Sequence, residues 1–97
     1  MTVSAALSGL RAAHHRPTYC LTVKTVAEPG ILPRLLEVFA KRDLIPSKLF
    51  SVLTGPDELT VDMQVADLEP TLGDQIAQFL RAQVGIETVL TSVKSFG

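Results

Sequence analysis

The hydrophobic period changes several times along this chain, and the order of the changes restricts the fold more than any other feature. In TYCLTVKTV (18–26), Tyr19, Leu21 and Val23 alternate with Cys20, Thr22 and Lys24, the pattern of a half-buried strand. In PGILPRLLEVFAKRDL (29–44) the period lengthens, and Leu32, Leu35, Leu36, Phe39 and Ala40 recur at helical spacing. Pro33 is tolerated only in a first turn, so this helix begins near Gly30 or Ile31. Glu37 and Lys41 form an i,i+4 pair on its surface, and Pro46 ends the segment. SKLFSVLT (47–54) is apolar on both sides, with Leu49 and Leu53 facing one way and Phe50 and Val52 the other. After the turn Gly55-Pro56-Asp57, ELTVDMQVA (58–66) puts Leu59, Val61, Met63 and Val65 inward, which completes a hairpin. A second helix starts near Glu69-Pro70, buries Leu72, Ile76, Phe79 and Leu80, and stops at Gly85. IETVLTSV (86–93) is β-branched and reads as the last strand.

Strand-helix-strand-strand-helix-strand with right-handed crossovers predicts an α+β, ferredoxin-like βαββαβ sandwich. Its four-stranded antiparallel sheet has the order 4-1-3-2, with both helices on one face. A chain of 97 residues with 46% hydrophobic and 20% charged residues suits one globular domain. The predicted division is a flexible leader, 1–17, and a domain, 18–95. The leader lacks acids and carries Arg11 and Arg16; His14 and His15 within it have no acidic or thiol cluster around them, and no metal role is expected. A net charge of −1 gives no footprint for nucleic acid. No apolar run reaches the roughly 18 residues that span a membrane. Cys20, the one cysteine, excludes an internal disulfide and a paired-thiolate metal site, and it points to a reducing, cytoplasmic setting.

Several functions of this fold fail on particular residues. RNA-recognition motifs stack bases on outward aromatics of the central strands; here those positions hold Cys20, Thr22, Thr60, Asp62 and Gln64. A copper chaperone needs two thiolates. An acylphosphatase-like phosphate loop needs an arginine that VAEPGI lacks. No Ser-His-Asp set can form with both histidines in the leader, and the carboxylates are scattered. No catalytic residue and no cofactor are expected.

Two features remain. The first helix opens with backbone donors near Gly30, Ile31 and Leu32, and the bare Gly30 lets a carboxylate approach; Glu28 could meet an amino group on the same ligand. The residues alone favour the plainer reading, in which Pro29-Gly30 turns the chain and Glu28 complements the helix dipole. The second feature is the apolar edge. Phe50 and Val52, with a second apolar line of Ile31, Leu35 and Val38 on the first helix, predict a two-fold homodimer that extends the sheet and joins first helices.

The run EPGIL followed by a helix ending FAKRDL resembles the ACT domain, and within it the regulatory small subunit of acetolactate synthase. Gly30, Leu32, Arg34, Leu35 and Phe39 fit that family's Gly-x-Leu-x-Arg-Val-x-x-x-Phe opening, and LRAQVGIETVLTSV resembles its closing helix and strand. The likeness runs from Tyr19 to about Val93. It implies side-by-side pairing and an effector at the seam, which on this chain means Glu28, Gly30, Ile31 and Leu32, with Ile45 and Pro46 where the second strand begins. It also implies a thiamine-diphosphate-dependent catalytic large subunit in branched-chain amino-acid biosynthesis, tuned by valine or a similar amino acid, leucine or isoleucine. The chain resembles the short, ACT-only form. Two positions depart from the family: Ala27 and Ile45 stand where valine-responsive members carry polar side chains. An amino-acid headgroup without those partners loses about 1–3 kcal/mol per unmet group. The expectation is a non-catalytic regulatory subunit with weak or absent effector binding. A stand-alone dimeric amino-acid sensor is the alternative, and a small enzyme of the same fold a more distant third.

Overall fold

The computed structural model describes residues 17–95; apart from Pro17, the expected leader with His14 and His15 lies outside them. The elements are β1 (Thr18–Val26), α1 (Ile31–Ala40), β2 (Lys48–Gly55), β3 (Glu58–Val65), α2 (Pro70–Arg81) and β4 (Ile86–Lys94). β1 lies between β3 and β4, and β2 adds outside β3, every pair antiparallel. The order β2-β3-β1-β4 is the expected 4-1-3-2 read from the opposite edge, so the ferredoxin-like sandwich is found as predicted.

The alternation in β1 and β3 sorts their side chains as the period requires. Tyr19, Leu21 and Val23, with Val61, Met63 and Val65 on β3, are at most 2% exposed and form the floor of the core. Cys20, Thr22 and Lys24 face the other way, opposite Gln64, Asp62 and Thr60. Each such buried aliphatic side chain contributes about 1.5–3 kcal/mol relative to an exposed one.

α1 is turned differently from the expectation. Ile31 and Val38, expected on a second, outward line, are buried with Leu35 and Phe39, which the core stripe included, while Leu36 and Ala40, expected inward, are exposed. The apolar arc of this helix is wide enough for either rotation. The bulky Phe39 decides, because a fully buried ring at that position carries Ile31, Leu35 and Val38 inward beside it. The helix also ends earlier than Pro46 requires. Asp43 takes a left-handed conformation at φ 58°, its N–H donates to the Ala40 carbonyl at 3.1 Å, and Leu44 N–H donates to the Phe39 carbonyl at 2.9 Å. This is a Schellman stop with aspartate where glycine is usual.

α2 starts as predicted, with Glu69 accepting from the Thr71 amide at 3.0 Å and Pro70 in the first position. Its buried face is Gly73, Ile76, Ala77 and Leu80. Phe79, expected in the core, is 44% exposed. Two small residues occupy the sheet-facing line instead, which lets the helix approach β1 closely. A Cβ at Gly73 would lie 2.4 Å from the Tyr19 ring. The Tyr19 hydroxyl then reaches Asp74 and donates to its Oδ1 at 2.5 Å. Burial, reinforced by this hydrogen bond, raises the Tyr19 pKa above its ordinary value. Gly85, at φ 90°, turns the chain into β4.

β2 has no residue in the buried class. Phe50 and Val52 are exposed as expected, but Leu49 and Leu53 on the helix side are exposed too, at 39% and 68%. α2 packs over β4 and β1, and the exposure of Leu49 and Leu53 shows that the helix layer leaves this edge largely open.

Gly73→Ala should destabilise the protein by about 1–3 kcal/mol, because the ring of Tyr19 is held on all sides; urea unfolding measures this. Tyr19→Phe tests the hydroxyl. A phenol whose folded pKa is raised contributes stability that is complete below pH ~10 and is lost as pH rises through the folded value. The stability gap between wild type and Tyr19→Phe should therefore hold at neutral pH and shrink above pH ~10.

Candidate functional site

β1 delivers the chain to the mouth of α1 through three backbone hydrogen bonds. Ala27 N–H donates to the Asp57 carbonyl at 3.0 Å, which ties the loop to the β2–β3 hairpin. Glu28 N–H donates to Val26, and Ile31 N–H donates to the Glu28 carbonyl at 3.0 Å. The Ile31 amide is thus occupied within the turn, and its side chain is in the core. The open donors expected around residues 30–32 reduce to those of Gly30 and Leu32, whose positions at the start of a helix give them no partner further back in it. The Glu28 side chain is exposed beside them, and Leu32 is half-buried against the core.

Gly30 has an ordinary right-handed conformation, φ −82° and ψ −3°, and makes no side-chain cap. A Cβ built there would meet nothing within 4 Å. Neither backbone geometry nor packing inside the protomer calls for glycine at this position. What a side chain would obstruct is access from outside.

The other half of the expected site lies elsewhere. Ile45 is 86% exposed and Pro46 half-buried, in the loop that enters β2. Ser47 N–H donates to the Gln64 carbonyl at 2.7 Å, and Gln64 pairs with Cys20. Ile45 and Pro46 therefore sit at the Cys20 end of the sheet, whereas Glu28 and Gly30 sit at the Ala27 end. Seven strand residues separate those ends, about 23 Å. One protomer does not bring the two groups together.

The expected dimer surface is partly reassigned. Phe50 and Val52 are open on one sheet face. Ile31, Leu35 and Val38 are inside the protomer and cannot form an outer seam. On α1, Arg34, Glu37 and Lys41 line the groove toward α2. At 100° per residue, Leu32 and Leu36 lie on the opposite flank, toward the β2 edge. Leu36, Leu49 and Leu53 are the exposed apolar side chains there. The sequence reading missed them because period-2 alternation assigns one side of a strand to the core, and only the reach of the helices shows that this strand has no cover.

The opposite sheet face carries the row Phe50, Asp62, Thr22 and Leu90, in which the Thr22 hydroxyl donates to Asp62 Oδ1 at 2.7 Å. Among the described residues, no group of three or more His, Cys, Asp or Glu is placed to hold a metal ion, and no helix is long and apolar enough to cross a membrane.

Sheet order, register and helix placement define the α+β ferredoxin-like class. Within it, the chain belongs to the ACT-like domain family, whose model matches residues 11–94. No curated protein matches the sequence. Three solved structures show the likeness in three dimensions. The ACT domain from GTP pyrophosphokinase of Chlorobium tepidum superposes with TM-score 0.67 at 13% identity, over 79% of this chain and 100% of that one. The C-terminal domain of the MgtC protein from Mycobacterium tuberculosis gives 0.65 at 15% identity, over 79% and 86%. The ligand-free regulatory subunit of aspartate kinase from Thermus thermophilus gives 0.64 at 14% identity, over 78% of this chain and 50% of that one. At these identities the likeness is one of fold.

Because nothing inside the protomer requires glycine at position 30, Gly30→Ala should leave stability unchanged or raise it by about 0.4–1 kcal/mol through the unfolded chain. Thermal and urea melts test this; a clear loss of stability would show a constraint on Gly30 within the protomer.

Proposed function

We propose that this chain is a non-catalytic ACT-type regulatory subunit that works as a two-fold dimer and modulates a larger catalytic subunit through protein contact. One observation carries the reading. β2 is an apolar edge strand open on both faces, and the two halves of the expected effector site lie at opposite ends of the sheet. Antiparallel pairing of β2 with its copy sets the Lys48 end of one strand against the Gly55 end of the other. That operation carries Ile45 and Pro46 of one protomer toward Glu28 and Gly30 of its partner. The same pairing covers Phe50 and Val52 on one side and Leu49, Leu53 and Leu36 on the other. A two-fold edge pairing is self-complementary and closes at two copies.

Amino-acid binding at this seam is weak or absent in the proposal. Ala27 and Ile45 offer no polar side-chain atom, and the Ile31 amide is already bonded. The resemblance of Gly30, Leu32, Arg34, Leu35 and Phe39 to acetolactate synthase small subunits supports a cytoplasmic thiamine-diphosphate-dependent synthase of branched-chain biosynthesis as the first partner to test. The sidechain-free Gly30, with no role inside the protomer, favours one second reading: a stand-alone sensor that binds a small amino acid such as valine, leucine or isoleucine.

Sedimentation velocity should give a dimer at micromolar concentration, and Leu53→Glu, a charge on the exposed edge strand, should shift it to monomer without unfolding. A monomeric wild type at high concentration would sink the dimer. Calorimetry with valine, leucine and isoleucine should detect no micromolar binding; if it does, the sensor reading replaces the first. Co-purification from the source cell with a thiamine-diphosphate-dependent synthase, and a change in that enzyme's rate on adding the chain, tests the partner.

A further inference from the structure

Phe79 has the spacing of a core residue and is nevertheless on the surface. Gly73, Ile76, Ala77 and Leu80 occupy the core line of α2, and Phe79 is left 44% exposed between the two helices. It is held there. The Arg42 guanidinium lies over its ring, 5.0 Å from the centroid, and Arg42 Nη1 donates to the Val38 carbonyl at 2.7 Å. Across the same groove, Arg34 Nη2 donates to the Val84 carbonyl. Both arginines are thereby pinned to backbone, so little side-chain entropy remains to be lost on meeting a partner. Lys41 is the third cation of the groove, and its one acid, Glu37, reaches Lys41 only at 3.8 Å with both side chains largely in water. The chain as a whole has nine Lys and Arg against ten Asp and Glu. A groove with three cations, one acid and an exposed aromatic ring therefore departs from the rest of the molecule in charge and in apolarity together. Aromatic and arginine side chains are enriched among the residues that dominate binding at protein interfaces.

From this we infer that the groove between α1 and α2 docks an acidic amphipathic helix of a partner protein, with an apolar side chain seated on Phe79 and carboxylates toward Arg34 and Arg42. The spacing selects this occupant. Arg34 and Arg42 are eight residues apart, about 12 Å along α1 and its end, close to two turns of a facing helix. Each guanidinium is fixed to a different carbonyl, Arg34 to Val84 and Arg42 to Val38, so the two offer separate points for carboxylates. A nucleic acid would bring a continuous run of phosphates to a chain with net charge −1. The groove lies on the flank of α1 opposite Leu32 and Leu36, so it stays free when β2 pairs. It supplies a contact surface for the partner in the regulatory reading above, and it rests on that reading only for the identity of the partner.

The test places p-benzoylphenylalanine at position 79 of the full chain in its source cell, irradiates, and sequences the cross-linked peptides. The expected product joins position 79 to a helical segment of a different protein that carries acids two turns apart. Arg42→Glu should lower its yield about tenfold, the effect of losing roughly 1.4 kcal/mol. Reversing the facing acid of the partner to lysine should restore it. Arg34→Glu, on a second cation, should act in the same direction and guards against misfolding of the first variant, with circular dichroism as the check. Cross-links only to a second copy of this chain, a product indifferent to both charge reversals, or no product would overturn the inference. Sedimentation of the same variants reads the β2 seam separately. Loss of cross-linking with an intact dimer concerns the groove alone, and a monomer that still cross-links concerns the seam alone.

Discussion

β2 is held by a single ladder and only thinly covered, and most of what is unusual about this domain follows from that. β1 and β3 each pair on both sides. β4 pairs on one side only, but α2 packs on it and buries Val89. β2 has no second ladder and no buried residue, yet Leu49, Phe50, Val52 and Leu53 make it as apolar as an interior strand. Natural edges are usually blunted with charge, proline or a covering element. β2 has Lys48 at its start and a register shift near Gly55, and its middle is bare. An edge of this kind suits a strand that is completed by association.

The rest of the architecture is consistent with keeping that edge in one place. Gly73 lets α2 settle onto the Tyr19 ring, and Phe39 draws α1 inward so that Ile31, Leu35 and Val38 close the core between the helices. α2 is thus committed toward β4 and β1, and α1 packs beside it. Leu32 and Leu36 are left on the flank of α1 that borders β2. Arg34, Lys41 and Arg42 fall on the other flank. α1 therefore separates an apolar border from a basic groove, and the helix mouth at Gly30 lies at the end of both.

The period changes made the sheet readable from sequence alone. In β1 and β3 the alternation of Tyr19, Leu21 and Val23, and of Leu59, Val61 and Met63, leaves one register that buries the apolar set, and the topology follows from the order of segments. α1 was less readable for a physical reason. Ile31, Leu32, Leu35, Leu36, Val38, Phe39 and Ala40 spread apolarity over so much of the helix that rotation is set by packing rather than by pattern. Phe79 and Gly73 show the same limit in α2: the small Gly73 and Ala77 take the sheet-facing line with Ile76 and Leu80, and the large Phe79 at core spacing is left outside it. Asp43, in a left-handed helix stop, has no sequence signature comparable to glycine. For the candidate site, Glu28, Gly30, Ile45 and Pro46 were each visible as residues, but not their placement about 23 Å apart at opposite ends of the sheet. That depends on α1 running back along the strands.

The one-sided ladder of β2 also sets how its backbone meets water. In an antiparallel pair, alternate residues turn both N–H and C=O toward the neighbouring strand, and those between turn them away. Along β2, every second amide hydrogen is therefore locked against β3, while its neighbours project from the rim of the sheet. Deuterium uptake along this one strand should come in two interleaved classes, slow and fast. Whatever closes the rim would merge them, so that the strand itself records whether it is alone.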